Sequence, residues 1–323
     1  MRTFAASDIR DVALVGHGGS GKTTLADSIL WCTKSVQRPG RVDDETSAFD
    51  FEPEEQKRKC SISAAVGHVE WKKAKINFVD TSGHGNFLID TQIAVDVVDA
   101  AIVVVSAADG VQVVTERAWE MLDAQKLARA VLVGKLDRER ASFETALADV
   151  RKSLSEKCFP VHLPIGAAEK LKGIVDLFEM KALTFEGDGR DVKVGEVPAD
   201  MKATAERARE QLIEAVASAD DKLIEEFLET GTLTQEDLRK GFVSAVRSGA
   251  VIPVMAAAPG LHIGVQPVLD LIVAAFPSPI DHGAWKGHVP AGHGERVGEA
   301  AERTPDPAGP VAAYVWKTVN ADI

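Results

Sequence analysis

Residues 13–30 read ALVGHGGSGKTTLADSIL. Their centre, Gly16-His17-Gly18-Gly19-Ser20-Gly21-Lys22-Thr23, fits the pattern G-x-x-x-x-G-K-[ST]. Glycines leave no Cβ in the way of a close ligand. The backbone N–H groups between Gly16 and Thr24 are therefore expected to curl into a nest for a nucleotide's phosphates. Lys22 supplies a point charge for the β- and γ-phosphate oxygens, and the Thr23 hydroxyl is a candidate ligand of Mg2+. Average residue usage produces such a match in about one chain per hundred of this length. A turn that bound nothing would leave Lys22 aimed at no anion.

Two further stretches extend the chemistry. In NFVDTSGHGNF (77–87), Asp80 closes an apolar run, where a carboxylate can hold Mg2+ through water. Gly83 is placed to give its N–H to a γ-phosphate, and His84 beside it is the candidate for orienting the attacking water. In VLVGKLDRE (131–139), Asp137 can accept from both N1–H and the 2-amino group of guanine, donors that adenine lacks. The Lys135 stem can lie along the base face. Asp137 thus argues against an ATPase.

The elements that must carry these residues alternate. Near-continuous Val/Ile/Leu runs at 11–16, 75–80, 100–107 and 129–137 read as strands buried on both faces. Helical segments are expected at 22–34, 86–99, 112–126 and 142–155. The alternation predicts a doubly wound, mostly parallel α/β sheet of the P-loop kind over 1–166, resumed at 251–280 by a strand (251–257) and a helix (265–276). Between them, 167–250 reads as an inserted α+β subdomain. It begins with short antiparallel strands around a Gly-Asp-Gly turn. An acidic helix carries Leu212, Val216, Ala219, Leu223 and Phe227, and a second helix is capped by Thr234 with Asp237 and ends at Gly249. Residues 281–310, rich in Gly, Pro and charge, read as a linker whose His282, His288 and His293 are solvated. VAAYVWKTV (311–319) alternates like the first strand of a β-barrel truncated at residue 323.

Composition narrows the partners. The chain has 323 residues and a net charge of −12, which opposes bulk coating of nucleic acid and a DNA partner. The basic clusters EEQKRKC (54–60) and WKKAK (71–75) read as solvated faces. Cys32, Cys60 and Cys158 match no metal spacing and read as reduced thiols. The N-terminus lacks an apolar signal core, and the most apolar run, 100–108, is too short to span a membrane. A cytoplasmic monomer is expected.

In this order the motifs resemble a translational GTPase, the GTP-binding part of bacterial elongation factor G or its elongation factor G-like paralogues. The resemblance covers about residues 8–319. It rests on GHGGSGKTT, EEQKRKCSIS, DTSGHGNF, GVQVVTERAWEML, GKLDRE, LPIGAAEKLKGIVDLFEMKALTF, GVQPVLDLIVAAFPSP and PVAAYVWKTV. It implies a GTP-driven switch that docks on the large ribosomal subunit, with Mg2+ as cofactor and GTP and GDP as substrate and product. It implies Lys22 and Thr23 on phosphate and Mg2+, Asp80 holding Mg2+ indirectly, Asp137 on guanine, and His84 as the catalytic residue moved into place by ribosomal RNA. Ser61 keeps a hydroxyl where the family threonine meets Mg2+ and the γ-phosphate.

Four positions depart from that family. Gly19 stands for an aspartate, Ser82 for a proline, Gly134 for the asparagine that ties the base loop to the P-loop, and Ala258-Pro259 for Ser-Ala. Pro259 has no N–H to offer the guanine oxygen. Each lost hydrogen bond costs roughly 0.5–1.5 kcal/mol. Together they predict guanine binding weakened by about tenfold to a hundredfold. The alternative to a hydrolysing enzyme is a nucleotide-sensing switch with weak or no turnover and no translocation role.

Overall fold

The computed structural model describes residues 3–289 and 298–319. β1 (Ile9–Val15) runs through the glycine-rich turn into α1 (Lys22–Cys32). A short α2 (Pro53–Arg58) precedes β2 (Ala65–Trp71) and β3 (Ala74–Asp80). There follow α3 (Leu88–Val95), β4 (Ala100–Ser106), α4 (Val113–Gln125), β5 (Ala128–Gly134), α5 (Phe143–Ser153) and β6 (Cys158–Pro160). The next group is β7 (His162–Ile165), β8 (Gly173–Asp176), β9 (Lys181–Glu186), β10 (Asp191–Glu196), α6 (Lys202–Ala217), α7 (Asp221–Thr230) and α8 (Gln235–Arg247). The chain closes with β11 (Ile252–Ala256), α9 (Val265–Ala275), α10 (Pro279–His282), β12 (Trp285–His288) and β13 (Ala300–Arg303).

The main sheet has the order β2-β3-β1-β4-β5-β11-β6; β2 is antiparallel to β3 and the other pairings are parallel. Strand periodicity splits its residues between two helical layers. Val12 and Leu14 share one core with Leu25 and Ile29 of α1 and Val268 and Ile272 of α9. Ala13 and Val15 share the other with Trp119 and Leu122 of α4 and Val150 of α5. All seven residues of β4 are buried, as the unbroken apolar run requires. The parallel strands end at one edge, so the glycine-rich turn, Asp80, Gly134 and the loop at Pro259 converge there. β1 lies between β3 and β4, and in such sheets ligands bind where the strand order diverges.

The structure corrects several expectations. β2 escaped the sequence reading because it is an edge strand whose Val66, His68 and Glu70 are exposed, which breaks the apolar run. The acidic helix is two, α6 and α7, because the Asp220 carboxylate accepts the N–H groups of Lys222 and Leu223 and starts a new one. The antiparallel sheet, β10-β9-β8-β7, begins at His162 rather than after residue 166. α8 is not confined to an insertion. It returns the chain from β6 to β11, packs on β5, β11 and α9, and buries Phe242 and Val246 in the same core as Leu14. Its N-cap is Thr234, as expected, with the side chain accepting from Asp237 N–H.

The segment read as a linker holds the antiparallel pair β12–β13, and His282 stacks on Trp285 at 4.7 Å. Residues 311–319 form no strand. Instead Trp316 packs against the α4–α5 core, and the Lys317 ammonium donates to the Ala64 carbonyl at 2.5 Å, with Asp90 4.0 Å away. His293 and residues 320–323 lie outside the described residues. Among the described residues no helix is long and apolar enough to cross a membrane.

Candidate functional site

The glycine-rich turn has the geometry that its composition predicts. Gly16, Gly19 and Gly21 sit at φ +139°, +75° and +107°, values an L side chain resists. A Cβ on Gly16 would also lie 2.4 Å from the Val104 carbonyl oxygen, so glycine is required there twice over. The Lys22 ammonium is buried and donates to the Gly16 and His17 carbonyls, both at 3.0 Å. Burial pushes its pKa down, and Asp80 and Asp50 oppose the shift. The His17 N–H donates to Thr115 Oγ1 at 3.3 Å, Ser20 Oγ is buried without a partner among the described residues, and Thr24 lines the pocket.

Behind the turn is a network of oxygens. Thr23 Oγ1 donates to Asp80 Oδ2 at 2.7 Å, and Ser61 Oγ donates to Asp50 Oδ1 at 2.7 Å. Each hydroxyl has one proton, and each proton is then committed. The 2.9 Å approach of Thr23 Oγ1 to Ser61 Oγ therefore brings lone pairs together. Asp80 Oδ1 and Asp50 Oδ2 are buried with no hydrogen-bond partner among the described residues. Burial raises the pKa of both carboxyls, opposed at Asp80 chiefly by Lys22 and at Asp50 chiefly by the Ser61 bond. Converging hydroxyl and carboxylate oxygens of this kind fit a hard divalent cation. No group of three or more His, Cys, Asp or Glu among the described residues is placed to hold a metal by itself.

The segment carrying Ser61 is held by residues that sequence reasoning missed. The Glu55 carboxylate accepts the N–H groups of Ile62 at 2.8 Å, Ser63 at 3.0 Å and Glu52 at 3.2 Å. Asp27 accepts the Ala48 N–H at 3.0 Å. The capping pattern Glu52-Pro-Glu-Glu55 is the one signal that could have found Glu55; Asp27 and Asp50 have none, since their partners lie 21 and 11 residues away. Ser82 donates to the Ser61 carbonyl at 2.7 Å and ties this segment to the one that carries Gly83 and His84.

Gly83 is seated on the glycine-rich turn, but with its carbonyl rather than its N–H: Gly18 N–H donates to Gly83 O at 2.7 Å. A Cβ on Gly83 would lie 2.3 Å from Gly18 N and 2.4 Å from Lys22 Nζ. The His84 imidazole lies over Gly18, where a Cβ would meet its Cε1 at 3.0 Å and Nε2 at 3.2 Å. It is exposed, on the solvent side of the same pocket.

The other end of the pocket is different. Lys135, at φ +57°, lines it with Arg138, Pro259, Gly260 and His262. Asp137 does not line it; its half-buried carboxylate faces Arg138 Nε at 3.9 Å. At Gly134 a Cβ would have the Ser20 carbonyl 3.9 Å away, so a side chain would fit there. Ser28, Arg138 and His262 were not anticipated, and no local pattern marks them.

The family model for the elongation factor Tu GTP binding domain matches residues 7–278, and the chain belongs to that family. A solved crystal structure from Thermus thermophilus is similar, with a TM-score of 0.81 and 37% identity over 88% of this chain and 43% of that one. This chain therefore spans less than half the length of that relative.

Proposed function

We propose that this chain is the GTP-binding and GTP-hydrolysing switch of an elongation factor G-like translation factor acting on the ribosome. The observation that carries the reading is the oxygen network of Thr23, Ser61, Asp80 and Asp50 behind a buried Lys22 at the mouth of the glycine-rich turn. Thr23 and Ser61 would hold Mg2+ directly, with Asp80 behind them. Bound there, Mg2+ neutralises charge on the β- and γ-phosphates. The chain's own groups do the rest. The turn's amides and Lys22 fix the phosphates, and His84, already over Gly18, orients the water that attacks the γ-phosphate. Asp137 serves guanine only if its loop turns inward from the Arg138 contact.

Single-turnover hydrolysis of GTP with and without ribosomes tests the proposal. His84→Ala should lower the ribosome-stimulated rate by about a hundredfold or more and leave GDP affinity within about twofold. Equal rates for parent and variant in both conditions would remove the catalytic role. A second reading, a nucleotide sensor with little turnover, draws support from the base end: Gly134 and Pro259 lack the polar groups of the family, and Asp137 stands off the pocket. Ribosomes that leave the parent's rate unchanged would favour it.

A further inference from the structure

Two limbs of the loop before α2 meet on one buried carboxylate. Residues 39–43 line the nucleotide pocket together with the glycine-rich turn. Residues 41–46 fold back on themselves: the Arg41 N–H donates to Thr46 Oγ1 and the Thr46 N–H to the Arg41 carbonyl, both at 3.0 Å. Gly40 and Ala48, on either side of this turn, are thereby brought to the same place on α1. Asp27 stands there, one helical turn after Thr23 and 2% exposed. Its Oδ1 accepts the Ala48 N–H at 3.0 Å. A Cβ on Gly40 would lie 2.5 Å from that oxygen and 2.8 Å from the Asp27 Cγ.

Both limbs are fitted to this carboxylate. The Gly40 backbone lies outside the left-handed region and would accept a side chain. The space for one is taken by the Asp27 carboxylate and, 3.0 Å from the Cβ position, by the Thr46 carbonyl. Burial raises the Asp27 pKa and the Ala48 N–H opposes the rise, so that bond favours the ionised carboxylate. An ionised acceptor away from water holds an amide more strongly than a neutral one. The tie then continues along the chain. Ser47 Oγ accepts the N–H groups of Phe49 at 3.1 Å and Asp50 at 3.4 Å, and Asp50 accepts from Ser61, the hydroxyl that faces Thr23. Asp27 itself does not line the pocket, and neither of its contacts includes a residue of the glycine-rich turn.

We infer that Asp27 is a positioning residue for nucleotide retention: it latches the 40–48 loop to α1, keeps residues 39–43 closed along the pocket, and so slows the release of bound guanine nucleotide. The inference rests on the guanine-nucleotide reading above and adds a residue that acts on the nucleotide only through the loop it holds. Because the latch lies behind the pocket and away from the phosphates, it acts alike on GDP and GTP. It acts on release rather than on encounter, since loosening one wall of an occupied pocket lets the ligand out without changing how often a ligand arrives.

The test is stopped-flow release of fluorescent GDP and of a fluorescent non-hydrolysable GTP analogue from the whole chain, chased with unlabelled nucleotide, with association rates measured alongside. Asp27→Ala should speed release of both nucleotides about tenfold and leave association within about twofold. Gly40→Ala attacks the same contact from the other side and should speed release about three- to fivefold. In the Asp27→Ala background the added methyl no longer meets the carboxylate, and it should change the release rate by less than about twofold. Two unrelated lesions of the loop would multiply instead. Thermal melts check that each variant folds; should Asp27→Ala fail to, Gly40→Ala alone decides. Unchanged release in either folded variant, acceleration for the GTP analogue alone, or effects that multiply in the double variant overturn the inference while leaving the GTPase reading intact. A parent that binds neither nucleotide overturns both.

Discussion

The phosphate end and the base end of the pocket are built on opposite plans. At the phosphate end, buried charge is concentrated around one turn: Lys22, Thr23 and Asp80 are each less than a tenth exposed, with Lys22 donating to the backbone and Thr23 to Asp80. At the base end, Gly134 offers no side chain and Pro259 no N–H. Its polar lining is Lys135, Arg138 and His262, the last held by a serine 234 residues away and packed against a turn of the second sheet. Phosphate recognition depends on backbone shape and one cation, which a short local motif can encode. Base recognition depends on a few side chains, which can be lost and replaced from anywhere that packing brings close.

The two ends should therefore respond differently to substitution. Lys22→Ala removes a charge-assisted contact in a dry site, and GDP and GTP affinity should fall by about a hundredfold, measured with a fluorescent nucleotide. A loss below about threefold would show that the ends differ less than their structures do. Thr23→Val keeps the shape but removes the hydroxyl. The gain in GDP affinity that Mg2+ gives the parent should shrink by about tenfold in the variant, whereas binding in EDTA should be alike for the two. Gly134→Asn works in the opposite direction. An amide there has room to reach the Ser20 carbonyl, and GDP affinity should rise about three- to tenfold with no change in Mg2+ dependence.

The smallest effect concerns acid. His262 has a folded-state pKa below its unfolded value, so the unfolded chain binds the extra proton and stability falls as pH drops below about 6.5. His262→Gln should lose less stability than the parent between about pH 6.5 and pH 5, by some tenths of a kcal/mol, in denaturant titrations at the two values. An equal loss in both proteins would show that the ring is not held as tightly as its contacts imply.

What was legible in the sequence follows the same division. β1, β3, β4 and β5 could be read because strands covered on both faces must be continuously apolar, and the glycine-rich turn because its backbone shape excludes side chains at fixed spacing. β2 could not, since its exposed face interrupts the run with His68 and Glu70. Glu55 falls within 54–60, which reads as a solvated stretch, and Asp50 is not singled out, yet their carboxylates are turned inward to hold Ser61 and the amides after it. The role of α8 was hidden too, because an amphipathic helix shows that it packs but not on which sheet. The break at Asp220 was readable in principle: an N-cap aspartate interrupts an otherwise regular apolar stripe.

The Gly18–Gly83 hydrogen bond bears on timing. An amide of the phosphate nest is closed by a neighbouring carbonyl, and that contact must open before an incoming phosphate can use the amide. Nucleotide association should then proceed in two stages, a rapid encounter followed by a slower rearrangement. The observed rate would level off as nucleotide concentration rises instead of climbing in proportion.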